Sequence, residues 1–441
     1  MIPNKSPCVQ YKLLLNLHRL SVKLSTLNLY MLESEIITLG LIRDLTMNKY
    51  NTVVIGGGAA GICAAISAAR AGRTVVICEK MTQLGKKILA SGNGRCNLLN
   101  DNFSEACYNP AAGELVKSVF TKFGKTEILE FFQGLGLETY SQDGRIFPIT
   151  NQAASVLKVL EIALRKLSVP VEYNFACDGI SFSKNDFIIS SKNGNNITCQ
   201  KVIITGGGKS YPALGSDGSL YKIAGQLGHT MIEPVPCAVP LVLKDAMCHY
   251  LQGQRIFAGA SSIIDDEKSA MVKGELLFTK YGLSGTCVLD ISEPISIAIN
   301  RYRNKNVLIA VDMVPFLEKE PLKCMLINRT KEKALPDEML AGILPNKLCI
   351  SLKGLFENND IDSAVNKLKD MRFKVTATKG WNEAEFTAGG IYVDEVVPGT
   401  LESKLHQGVY FAGEILDVNG RRGGYNLGWA WASGYVAGQT L

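Results

Sequence analysis

The sequence predicts an α/β fold built on parallel strands and interrupted by an inserted second domain. Three observations carry this. A glycine-rich turn joins an apolar strand to an Ala-rich helix at residues 51–80, a second glycine run follows a strand at 205–208, and a strand–glycine–acid–helix arrangement closes the chain.

Thr52–Ile55 is a β-branched apolar run and reads as a buried strand. It enters Gly56-Gly57-Gly58-Ala59-Ala60-Gly61, a match to G-x-G-x-x-G. A helix is predicted from Ile62 to Ala71 with Gly72 as its stop, then a strand over Thr74–Cys78 ending at Glu79-Lys80. Gly56 permits the tight turn, Gly58 lets backbone approach a pyrophosphate, and Gly61 lets helix and strand pack closely. Glu79, about twenty residues on, accepts from a ribose hydroxyl and repels a 2′-phosphate. An empty glycine loop is the alternative, but strand, helix, second strand and acid all fall in register for a Rossmann-like dinucleotide site.

Residues 81–100 read as a loop, not an element, whose Lys86, Lys87 and Arg95 can wrap a dinucleotide. Two short helices fit Gly113–Gly134, and Asp143-Gly144 marks a hairpin before Arg145. Asn151 is placed to cap a helix running to Leu167. Strands follow at Val169–Cys177, Gly179–Ser190 and Ile197–Thr205, the last running into Gly206-Gly207-Gly208 and then Lys209-Ser210-Tyr211-Pro212. This second glycine run either contacts the ligand or simply turns the chain.

Pro234 and Pro236 are expected to break any continuing element and open the insertion, residues 237–371. There, short strands (Val239–Leu243, Ala270–Thr279, Val307–Met313) alternate with Lys-rich helices at Pro321–Leu335 and Ile361–Met371. Gly274–Gly285 is either a cleft-covering loop or a strand-to-helix turn. The first domain, residues 47–236, resumes at 372–441. Its last strand, Gly408–Ala412, leads through Gly413-Glu414 to a helix starting near Tyr425. Glu414 can hold a polyol hydroxyl, and the helix directs its positive end at whatever lies in front.

Composition narrows the function. At 46% hydrophobic and 20% charged residues the chain has ample core, and a net charge of +6 with no aromatic-interleaved basic stripe argues against nucleic acid. The twelve cysteines are scattered with no C-x-x-C, which excludes paired redox cysteines and zinc knuckles and fits a reducing cytoplasm. With four histidines no metal site is expected. Residues 1–46 carry no acid before Glu33 and suit neither a membrane span nor a signal peptide. They are expected to be a poorly packed extension, with translation starting at Met47.

The three glycine signatures together resemble the FAD-binding two-dinucleotide-fold flavoproteins. More narrowly, KKILASGNGRCN, RIFPITNQAASVL, GGKSYPALGSDG, GELLFTKYGLSG, TKGWNEAEFTAGGI and GVYFAGEILDVNGRRGGYNLGWAWASGYVAG are similar to the BaiN/YhiN-type flavoprotein family, from about Met47 to Leu441. The resemblance implies non-covalent FAD in a Rossmann-like, glutathione-reductase-type domain interrupted by a β-barrel plus helical insert. The cofactor is then expected on Gly56, Gly58, Ala59, Ala60, Gly61, Glu79 and Lys80, on Lys86, Arg95, Asn97 and Cys177, and on Thr205 and Gly206. At the end of the chain it is expected on Gly413, Glu414, Gly424, Tyr425, Asn426 and Leu427. The chain departs from the family at Lys280 (usually His), Thr286 (usually Pro), Gly428 (usually Gln) and in its Arg421-Arg422 pair.

The leading reading is an NAD(P)H-linked FAD enzyme that reduces a conjugated C=C bond in a small 3-oxo bile-acid or steroid-like molecule. Lys280, Tyr281, Tyr211 and Arg145 are the candidate donors to its carbonyl oxygen. An FAD-dependent oxidase of a small amine or aminoketone such as aminoacetone is the alternative, and a non-catalytic, RNA-associated flavoprotein a third. Only one complete G-x-G-x-x-G occurs, so no second Rossmann domain for NAD(P)H is expected.

Overall fold

The computed structural model describes residues 49–183 and 186–440, so the predicted extension, residues 1–46, lies outside the described residues. The chain opens with β1 (Lys49–Ile55), α1 (Ala59–Arg70) and β2 (Val75–Glu79), the predicted unit. α2 (Lys86–Ala90), a 3-10 turn and β3 (Leu99–Asn100) follow where a plain loop was expected. Leu84 and Ile88 anchor this segment in the core despite the glycines around them.

Next come α3 (Gly113–Phe120), α4 (Lys125–Gly134), the hairpin β4 (Thr139–Gln142)/β5 (Arg145–Pro148) and α5 (Ala153–Lys166). Asn151 does not cap α5; its side-chain oxygen instead accepts from Arg95 Nη2 at 2.8 Å and the Tyr140 hydroxyl at 2.6 Å. β6 (Val171–Tyr173), β7 (Cys177–Ser183), β8 (Asp186–Ser191) and β9 (Asn196–Ile204) follow. The expected strand 179–190 is thus a hairpin. α6 (Ser219–Gln226) and β10 (Met231–Cys237) complete this part of the domain.

β10 corrects the expected break, since both prolines sit inside a strand. It belongs to a two-stranded sheet, with a bulge between Ile232 and Val235, where a missing ladder donor is tolerated.

The insertion contains β11 (Leu241–Leu243), α7 (Ala246–Tyr250), β12 (Arg255–Ile264), β13 (Glu267–Lys268), β14 (Val272–Thr279), β15 (Gly282–Ser284) and α8 (Thr286–Ser296). It continues with β16 (Val307–Asp312), α9 (Lys319–Lys331), α10 (Asn346–Leu352), α11 (Ile361–Lys369) and β17 (Met371–Thr378). The strand order β12-β14-β15-β11-β17-β16 closes because β16 also pairs with β12, giving a six-stranded antiparallel barrel around Phe278, Leu283, Ile309, Val311 and Phe373. The barrel therefore reaches past residue 371: β17 pairs with β11 and β16, and Phe373 belongs to the barrel core. β12 escaped the sequence reading because its run of Ala, Gly and Ser dilutes the apolar alternation.

β18 (Phe386–Ile391) pairs with β10, β19 (Val409–Phe411) returns to the main sheet, and α12 (Tyr425–Gln439) ends the fold. The main sheet runs β6-β2-β1-β9 in parallel. The first half of β9 pairs antiparallel with β8 and its second half parallel with β19. α12 crosses α1 so closely that a Cβ at Gly434 would sit 2.2 Å from Ala60 O, and one at Gly438 2.2 Å from Ala64 O. The small-residue faces of both helices make that approach possible, and it places both helix starts beside the same sheet edge. None of the described helices is long and apolar enough to cross a membrane.

Candidate cofactor and substrate cavity

A cavity of about 740 Å³ opens at the carboxyl ends of β1, β2 and β9, the position where open α/β sheets bind ligands. Its wall at one end is the turn Gly56–Ala60. Gly56 has φ +110, and a Cβ there would lie 2.6 Å from Thr205 O, so the turn is closed to other residues. Gly58 has nothing within 4 Å of its missing Cβ, leaving bare backbone on the cavity beside the first-turn amides of α1.

Glu79 is almost buried and lines the cavity. Gly57 N–H donates to its Oε2 at 2.6 Å and Met81 N–H to its Oε1 at 2.8 Å. Each oxygen keeps a lone pair for a sugar hydroxyl. Lys80 is held by Asp217 at 2.6 Å. Cys177 also lines this end, where burial pushes its thiol up to about 12 and keeps it neutral.

At the centre, Glu414 collects four donors: Lys87 Nζ (2.7 Å), Thr387 N–H (2.8 Å), Ser210 Oγ (3.1 Å) and Gly208 N–H (3.2 Å). Its carboxylate ties the glycine run after β9 to β18 and to the basic loop. Lys87 was noted only as one charge of that loop, and its pairing across 327 residues is a tertiary event.

At the far end stand Asn97, Arg145, Phe147, Tyr211, Glu385, Phe386, Arg422 and the start of α12. Arg95 packs over Phe147 at 4.2 Å. The Arg422 guanidinium donates twice to Glu385 (2.8 Å each) and once to Asp290 of α8 at 2.7 Å. Burial opposes its charge, but the two carboxylates hold it protonated. Burial and the nearby Glu385 and Glu383 carboxylates raise the Tyr211 hydroxyl above its usual range.

Of the residues expected at the cofactor, Gly56, Gly58, Ala59, Ala60, Glu79, Lys80, Lys86, Arg95, Asn97, Cys177, Thr205 and Gly206 line this one cavity. So do Gly413, Glu414, Gly424, Asn426 and Leu427. Gly61 and Tyr425 stand behind the wall: a Cβ at Gly61 would meet Gly56 O, and Tyr425 O accepts from the Tyr108 hydroxyl at 2.7 Å. Of the candidate donors, Tyr211 and Arg145 line the cavity. Lys280 and Tyr281 sit in the β14–β15 turn of the barrel, with the Tyr281 ring under Lys379 at 4.9 Å, and are not among the lining residues.

The HI0933-like protein Rossmann domain model matches residues 50–440. The chain belongs to this family.

A 3-dehydro-bile acid delta(4,6)-reductase of Clostridium scindens is 39% identical over 403 residues, covering 88% of this chain and 98% of that protein. A ribosomal RNA dihydrouridine synthase of Escherichia coli is 29% identical over 408 residues, covering 90% of this chain and 98% of that protein. Among solved structures, 3-ketosteroid delta1-dehydrogenase from Sterolibacterium denitrificans aligns with a TM-score of 0.49 and 12% identity over 89% of this chain and 99% of that one.

The cavity fits the family's cofactor. Bare backbone at Gly58, a helix start, an acid with spare lone pairs and a second helix start at α12 line one continuous space. This family member is an FAD-dependent oxidoreductase.

Proposed function

We propose that the chain uses NAD(P)H to reduce a C=C bond conjugated to a carbonyl in 3-oxo bile-acid or steroid-like substrates. The observation that carries this is the 39% identity to a bile-acid delta(4,6)-reductase over 98% of that protein's length. The second relative supports the reaction class, because a dihydrouridine differs from uridine by two hydrogens across a C=C bond conjugated to a carbonyl. FAD held here would supply the two-electron chemistry that links a nicotinamide donor to the alkene.

The chain's own residues supply the rest. Gly58 and the α1 start receive the diphosphate, and Glu79 the ribose. Tyr211 and Arg145 remain the candidate donors at the substrate end, where Phe147 and Phe386 offer apolar surface to a flat hydrocarbon. With a single G-x-G-x-x-G in the sequence, the nicotinamide either visits the flavin face in this cavity transiently or uses the inserted domain.

RNA is a second reading, favoured by the dihydrouridine synthase relatives. Against it, Lys and Arg only balance Asp and Glu across residues 237–371, so the insertion carries no net positive charge to draw in a phosphate backbone.

Holoenzyme reduced anaerobically by NADH or NADPH and mixed with a 3-oxo-4-ene bile acid tests the lead. Return of the oxidised flavin spectrum with saturation of the alkene is the expected result. A flavin that stays reduced with the bile acid and reoxidises with a uridine-containing ribosomal RNA fragment transfers the assignment to RNA.

A further inference from the structure

We infer that Arg422 is a catalytic residue of the reaction proposed above, donating to the substrate's carbonyl oxygen, and that Asp290 of the inserted domain positions it. The inference rests on that functional reading and extends it to a residue outside the four donor candidates drawn from the sequence.

Arg422 lines the substrate end of the cavity in the company of Tyr211, Glu385 and Phe386. Its side chain is only 15% exposed. A guanidinium carries five N–H donors. Glu385 takes two of them and Asp290 one, leaving one N–H on each terminal nitrogen without a partner among the described residues. Among the other cations of the wall, Lys80 and Lys87 each close on a single acid, Arg145 is exposed and has no partner among the described residues to fix its direction, and Arg95 is fixed by neutral groups, the Asn151 side-chain oxygen and the Tyr140 hydroxyl. Arg422 is thus both immobilised and left with donors to give, which is what a preorganised oxyanion site requires.

The fixing comes from two bodies. Glu385 precedes β18 in the cofactor-binding part, whereas Asp290 lies on α8 under the barrel. One turn along α8, Glu293 accepts from Asn419 Nδ2 at 2.6 Å. Two acids three residues apart on one helix thus grip Arg422 and Asn419, three residues apart on the loop that leads into α12. The barrel sets where that loop, and with it the Arg422 fork, stands.

The chemistry balances with one hydride and one proton. Hydride reaches the β-carbon, the alkene pair moves toward the carbonyl, and the oxygen becomes an enolate. Protonation at the α-carbon, with water as the proton source, then restores the carbonyl and leaves a saturated bond. Negative charge builds on the oxygen only during this step, so a fixed guanidinium N–H there binds the transition state more strongly than the ground state. The Tyr211 hydroxyl, which has no hydrogen-bond partner among the described residues, completes the pair of donors.

The test compares two oxidants of the reduced holoenzyme: a 3-oxo-4-ene bile acid, and dioxygen, which has no carbonyl to polarise. R422Q is expected to slow reoxidation by the enone roughly 100-fold, the usual loss for one oxyanion donor, with the dioxygen rate and FAD content unchanged. D290N, which keeps both bonds to Glu385, is expected to slow the enone alone by about tenfold. A second readout avoids turnover: a phenolic steroid, a planar mimic of the enolate, is expected to bind oxidised R422Q at least tenfold more weakly than wild type. A competent wild type whose R422Q variant slows equally toward both oxidants, or toward neither, overturns the assignment alone. A wild type that no 3-oxo-4-ene reoxidises overturns the functional reading, and unchanged phenolic-steroid affinity in R422Q then overturns the role of Arg422 as well.

Discussion

Gly58 and Gly61 belong to one loop and predict opposite consequences for the same substitution. A Cβ at Gly61 would lie 1.8 Å from Gly56 O and 2.7 Å from Thr205 Oγ1, far inside the 3.4 Å where ordinary contact begins. The obstacle is a carbonyl of a turn that cannot move without pulling on β1. Overpacking of this kind costs about 1–3 kcal/mol, and backbone as the obstacle puts it near the top of that range. Replacing a helical glycine returns at most about 1 kcal/mol of propensity, so G61A is expected to destabilise by about 2 kcal/mol. Gly58 has φ −83 and ψ −168, open to any residue, and nothing lies within 4 Å of its missing Cβ. G58A is expected to change stability by less than about 0.5 kcal/mol. Its methyl group stands in the cavity wall where backbone should meet a diphosphate, so FAD affinity falls at least tenfold, about 1.4 kcal/mol. Urea unfolding of the apoprotein and fluorescence titration with FAD read the two quantities separately. G61A matching wild type in urea, or G58A binding FAD with native affinity, would refute the assignment of packing to one glycine and ligand approach to the other.

Three further outcomes follow from the geometry. E414Q presents one oxygen and an NH₂ group to four donors that now share a carboxylate, and is expected to lower stability by about 2–3 kcal/mol in urea. K369M strands Asp312, which is 4% exposed and pairs with Lys369 at 2.6 Å. It should cost about 3–5 kcal/mol, with hydrogen exchange accelerating in β16 while β1 stays protected. The third concerns acid. Burial lowers the His229 pKa below its ordinary 6.5, against the opposing pull of Glu395. The unfolded chain then binds a proton that the folded site resists, so this contribution is full above pH 6.5 and is lost as pH falls below it. A stability-versus-pH profile should show that slope in wild type and a shallower one in H229Q, whose amide can still donate to Glu395 and accept from Ser403.

Much of the cavity wall was legible because its determinants are local. The β1–α1–β2 unit, Glu79 and the α12 start are each written in a few consecutive residues with the right period and turn chemistry. Other elements misled. Pro234 and Pro236 stop a helix or a central strand, yet β10 needs only one partner and accommodates both. Residues 81–100 look like loop because glycine dominates, whereas Leu84 and Ile88 pull the segment into the core. β17 was assigned to the wrong body because nothing in Met371–Thr378 states which sheet it joins.

The far end of the cavity, around Arg422, shows the same division most sharply. Composition and motif led to the expectation of a dinucleotide at two helix starts, since a glycine's freedom and a helix's first amides are properties of the chain nearby. Arg422 meeting Glu385 and Asp290 depends on how a barrel closes and where it rests. Those partners lie 37 and 132 residues away, and their distances are set by packing and not by any repeat along the sequence. Lys280 and Tyr281, which the motif made attractive, were carried out of the cavity by that same packing.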